Sequence, residues 1–77
     1  MMLVLAYITG IVLDKPGLGG FTVDYGTSDA HYFSNGLFYV DLAGTEGEIE
    51  DAIRVKVATA VNAALGLQLN AEDVRLF

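Results

Sequence analysis

Four residues in one short window, Ser28, Asp29, His31 and Ser34, are of the types that build a hydrolytic triad. A triad works when a base is oriented by a carboxylate and hydrogen-bonded to the nucleophile. Side chains alternate along an extended segment, so Asp29 and His31 share a face there while Ser28 points away. An enzyme built on this chain would have to use His31 with Asp29 or Asp41, and no oxyanion-hole signature accompanies them. The spacing fits a partly exposed histidine at the edge of a hairpin better, so no catalytic residue is assigned and the chain reads as a non-enzyme.

Two other patterns point to ligand chemistry and fall short of it. Gly17-Leu18-Gly19-Gly20 resembles a phosphate-cradling loop, but such loops open a helix and carry a lysine, whereas a strand follows here. Asp41, Glu46, Glu48, Glu50 and Asp51 are hard oxygen ligands, yet calcium loops place such ligands at a tight repeating spacing that is absent. Acids at a helix start are accounted for by the helix dipole. With one histidine and no cysteine, the common zinc sites are out of reach. No cofactor and no metal are expected.

Composition narrows the partners. The 77 residues predict a single domain, 1–77. Hydrophobic residues make up 53% and mean hydropathy is +0.47, which argues against disorder. Net charge is -6, with Lys15, Arg54, Lys56 and Arg75 the basic residues. No basic patch can be assembled from them, which excludes nucleic acid as a partner and disfavours anionic membranes. Met1 to Leu13 is apolar but too short to span a bilayer, and no basic residue precedes it. A cytoplasmic protein is expected, or a virion component if the source is viral. Small domains commonly gain stability from disulfides, metals or oligomerisation; the first two are excluded, which leaves a homo-oligomer or a protein partner.

The elements follow from periodicity and turn chemistry. Leu3 to Leu13 is β-branched and apolar on both faces, as a strand covered on one side by a helix and on the other by a partner would be. Gly10 marks a bulge or bend within it. Asp14-Lys15-Pro16-Gly17 predicts a type II turn, with Gly19 and Gly20 lengthening the loop. Phe21 to Tyr25 alternates as a second strand, followed by a polar loop over Gly26 to Asp29. His31 to Leu42 predicts a hairpin closed by a type I′ turn at Asn35-Gly36. That hairpin would gather Phe33, Phe38, Val40 and Leu42 on one face and Tyr32, Ser34, Tyr39 and Asp41 on the other.

Thr45 to Gly66 carries the strongest signal. Thr45 and Glu48 form a capping box, and Gly66 is a left-handed stop. Ile49, Ile53, Val57, Ala60, Val61, Ala64 and Leu65 form an inner stripe, with Val55, Ala58 and Asn62 as a second. Val57 to Leu65 is apolar almost all round, which a small domain has little surface to cover. The candidate interface is therefore Val55, Val57, Ala58, Ala60, Val61, Asn62 and Leu65, joined by Tyr32 and Tyr39 from the sheet. Asn70 to Asp73 repeats the capping pattern and predicts one helical turn, with Val74 to Phe77 returning as a short strand or tail.

The Ala/Val-rich helix followed by Leu67 to Phe77, L-x-L-N-A-E-D-V-R-L-F, resembles small proteins of tailed bacteriophages, minor virion components among them. The resemblance covers the C-terminal third and includes no residue with a chemical role. It implies a phage structural part and supplies no site.

The expected fold is α+β: a small antiparallel sheet of three to four strands with one long helix packed on it and a short C-terminal strand. The expected function is a non-enzymatic assembly protein that self-associates or docks into a larger particle. The alternative is a small ligand- or protein-binding module.

Overall fold

A computed structural model describes residues 2–77. Strands β1 (Val4–Val12), β2 (Leu18–Thr27) and β3 (Phe33–Asp41) follow one another as an antiparallel meander. Helix α1 (Glu46–Leu65) crosses one face, and a 3₁₀ turn (Ala71–Asp73) leads into β4 (Val74–Leu76). The sheet order is β3-β2-β1-β4. The architecture is α+β with one long helix on a small sheet. It departs from the expected antiparallel sheet in that β4 runs parallel to β1, pairing Val4 with Val74 and Ala6 with Leu76. The reason is the helix: it carries the chain back across the sheet, so the returning strand enters from the same end as β1.

Local chemistry explains most of the turns. Leu18 N–H donates to Lys15 O at 3.2 Å, and Gly17 sits at φ 73°, as a type II turn with Pro16 and Gly17 at its centre requires. The β1 register slips between Ile8 and Gly10, leaving Thr9 as the bulged residue. Thr45 Oγ1 accepts from Glu48 N–H at 3.2 Å while the Glu48 carboxylate accepts from Thr45 N–H at 2.9 Å. Gly66 ends the helix at φ 67°.

Two glycine-containing segments behave otherwise than expected. Gly19 and Gly20 lie inside β2, which begins at Leu18 rather than Phe21 and runs on through Gly26. They are small because side chains lie over them: a Cβ on Gly20 would stand 2.8 Å from the Tyr39 ring, and one on Gly19 would stand 2.9 Å from Leu42. Asn35-Gly36 makes no turn. β3 is one continuous strand, with Asn35 opposite Asp24 and Gly36 opposite Val23. The reversal happens earlier. The Asp29 carboxylate accepts from the Thr27 hydroxyl at 2.6 Å and from His31 N–H at 3.1 Å. Thr27 Oγ1 accepts from Tyr32 N–H at 3.2 Å, and Ala30 takes φ 64°. With the chain turned there, Asn35-Gly36 falls mid-strand.

This change alters the parity of β3. Tyr32, Phe38 and Val40 face the helix, while Phe33, Leu37 and Tyr39 face away, so Phe33 lies opposite to its expected side. The core is Val4, Ala6, Val23, Tyr25, Val40 and Val74 from the sheet, closed by Ile53, Val57, Ala58 and Val61 of the helix. Leu67, Leu69 and Leu76 of the returning segment pack against it.

Candidate functional site

The residue types that suggested hydrolysis are engaged in structure. Ser28 Oγ accepts from Leu3 N–H at 3.0 Å, and Asp29 organises the turn. Its carboxyl is held below the ordinary carboxylate range, first by the Thr27 hydroxyl and then by His31 N–H. Ser34 donates to Asn35 O at 3.5 Å. Among the described residues no hydrogen bond joins the His31 ring to Ser28, Ser34 or a carboxylate, so the parts of a triad are not brought together.

The acidic cluster is also dispersed. Asp41 accepts from Ala43 N–H at 2.7 Å. Glu48 closes the capping box, and its carboxyl is lowered first by Thr45 N–H and then by the Thr45 hydroxyl. Asp51 and Glu50 pair with Arg54 at 2.7 and 3.9 Å. No three of these groups converge among the described residues.

The helix half of the expected interface is largely covered from within. Val57, Ala58 and Val61 are buried and Ala60 packs partly against the core. The cover is the sheet, extended past β1 by β4 and flanked by Leu67 and Leu69 of the return, which the apolar pattern of the helix does not disclose. Asn62 donates its amide to Leu69 O at 2.9 Å and accepts from Leu69 N–H at 2.8 Å, so it is an internal clasp. Val55 and Leu65 remain exposed, at 52% and 40%. Tyr32 turns inward to Tyr25, ring centroids 6.4 Å apart. Burial, the largest cause, pushes the Tyr25 phenol up. Tyr39 stays on the outer side and donates its hydroxyl to Asp14 at 2.9 Å, a bond that raises its pKa. Lys15 Nζ stands 5.2 Å over the Tyr39 ring.

What remains open is the sheet face turned away from the helix. Register places Leu5, Tyr7 and Val12 of β1, Gly20, Thr22, Asp24 and Gly26 of β2, and Phe33, Leu37 and Tyr39 of β3 on it. Tyr7, Phe33, Leu37 and Phe77 are exposed there at 46%, 71%, 47% and 65%. Tyr7 and Phe77 stack, with centroids 5.0 Å apart and rings inclined by 17°. Beside them a shallow groove of about 210 Å³ is lined by Leu5, Tyr7, Gly26 and Phe33. The two apolar areas are separated by a polar waist, where Thr9 donates to the Thr22 hydroxyl at 3.0 Å. The two-sided apolar character of β1 signalled this face. The Phe33 contribution was hidden by the misplaced turn, which set it on the side of Phe38.

Comparison with protein-family models, with curated proteins and with solved structures finds no match.

Proposed function

We propose that the chain is a non-enzymatic assembly protein that seats a protein neighbour on the open face of its sheet. The observation that carries this reading is the run of four exposed large side chains, Tyr7, Phe33, Leu37 and Phe77, on one side of a small domain. Clusters of exposed apolar side chains mark association sites on soluble proteins, and tyrosine and phenylalanine are enriched in them. A structural subunit of a larger particle, such as a phage virion, fits the same chemistry and the resemblance of Leu67 to Phe77.

Sedimentation equilibrium from micromolar to millimolar concentration tests the reading. A mass above one chain, lowered by Phe33→Ser with Tyr7→Ser, is expected. A single-chain mass throughout, with no partner captured through this face, would remove it. A small binding module is the second reading, located by the cleft of about 920 Å³ that Asp51, Arg54, Arg75 and Phe77 line beside the helix. A thermal-shift screen with neutral and cationic small molecules tests that reading, and a shift abolished by Glu72→Ala, on the lining of the same cleft, is its expected result.

A further inference from the structure

The two edges of the sheet differ in a way that specifies how copies of the chain meet. The β4 edge is three residues long and is guarded by charge: Arg75 lies within it and Glu72 and Asp73 precede it. The β3 edge is nine residues long and is unguarded. Its pairing with β2 is unbroken by any bulge, no described strand lies beyond it, and Phe33 to Val40 contains no charged residue and no proline. Natural sheets blunt long edges with lysine, proline, bulges or cover, because bare N–H and C=O groups template another strand. None of those devices is present on β3.

We infer that β3 pairs antiparallel with β3 of a second copy across a two-fold axis, joining two sheets into one. This goes beyond the assembly reading above: it adds a contact at the sheet edge and leaves the open face free for another neighbour. A two-fold axis makes each edge meet itself, which gives a closed dimer. The register that pairs all nine residues of Phe33–Asp41 centres on Leu37. Leu37 then faces its own copy on the outer side, Asn35 faces Tyr39, and on the helix side Gly36 faces Phe38.

Charge selects this occupant. A chain of net charge -6 repels itself over most of its surface. The only charge on this strand is Asp41 at its end, and antiparallel pairing sets the two copies of Asp41 about 27 Å apart at ~3.4 Å per residue. That distance is well beyond the screening length of about 8 Å at physiological salt. An acidic or basic partner would find no complementary group here. The dimer would carry both open faces on the same side, merging the Phe33 and Leu37 areas into one continuous floor.

The absence of cysteine supplies a clean test. Cα atoms directly opposite in an antiparallel pair lie about 4.5–5.5 Å apart, within the range a disulfide spans. Leu37→Cys and a control Tyr7→Cys are oxidised at micromolar concentration, alongside sedimentation of the unmodified chain and circular dichroism of both variants. Folded Leu37→Cys is expected to convert mostly to a covalent dimer while Tyr7→Cys does not, and Leu37→Lys is expected to weaken self-association at least tenfold. Assembly of the unmodified chain without Leu37→Cys cross-linking would overturn edge pairing and leave the assembly reading standing. A single-chain mass with no cross-linking would likewise overturn edge pairing, while the assembly reading falls only if no partner is captured through the open face either.

Discussion

Asn62 holds Leu69 by both of its backbone groups, donating to the carbonyl at 2.9 Å and accepting from the N–H at 2.8 Å. This pair fastens the segment after Gly66 to the flank of the helix and fixes where the 67–76 return begins. Without it, β4 would have to find β1 from a loose connector. Replacing Asn62 with Ala leaves a partly buried donor and acceptor unpaired, and the expected loss is about 1–3 kcal/mol. Urea unfolding followed by circular dichroism checks this, and a variant as stable as the parent would show that the clasp is dispensable.

The core prediction concerns Ile53, which is 1% exposed and lies between the sheet and the helix. Ile53→Ala removes three carbons from a close-packed interior, at an expected cost of about 2–5 kcal/mol. For a domain of this size that approaches the whole stability. Amide proton dispersion in a one-dimensional NMR spectrum should collapse in this variant and persist in Ile53→Val.

Gly20 distinguishes a strand from a loop. A Cβ there would stand 2.8 Å from the Tyr39 ring and 3.1 Å from Leu37. Gly20→Ala should therefore destabilise by about 1–3 kcal/mol through overpacking. A flexible loop glycine would accept alanine without loss. The midpoint of thermal unfolding is the readout.

Acid should weaken the fold through two turns. The Asp29 and Glu48 carboxyls are both lowered in the folded chain, the first chiefly by the Thr27 hydroxyl and the second chiefly by Thr45 N–H. A lowered folded pKa means stability that is fully present above the unfolded value and is lost as pH falls through the folded one. The ordinary values are 3.8 for the Asp29 carboxyl and 4.5 for the Glu48 carboxyl, so their contribution is level above about pH 5 and declines below it. Glu48→Gln should flatten part of that decline, as seen in urea midpoints at pH 7 and at about pH 3. Separately, Thr45→Ala should cost about 1 kcal/mol at neutral pH through the lost cap.

Much of the fold was readable because its signals were local. The capping box, the glycine stop, the Pro16-Gly17 turn and the Gly10 bulge each depend on residues adjacent in sequence, and each stands as expected. The Asn35-Gly36 turn failed because a strong local preference was overruled by a competing reversal. The Thr27, Asp29 and Tyr32 bonds set the β2–β3 turn upstream, and the long β2 strand then had a partner for every residue of β3. The open sheet face was half legible. β1 is apolar on both sides, but the outward position of Phe33 follows only from the true parity of β3. The internal cover on Val57, Ala58 and Val61 was illegible in part, because it includes the 67–76 return, whose position is set by the Asn62 clasp and by pairing of β4 with a strand far away in sequence.

The parallel seam between β1 and β4 sets an order of events for the molecule. Phe77 N–H donates to Ala6 O at 2.9 Å, and Ile8 N–H donates to Phe77 O at 3.3 Å. Strand β1, made before β4, thus gains its second neighbour only after the helix and the whole return have been made. Until then a growing polypeptide exposes one flank of β1 in addition to the bare flank of β3. Truncation before Val74 would recreate that half-built species permanently, with sticky backbone on two sides and aggregation as its natural fate.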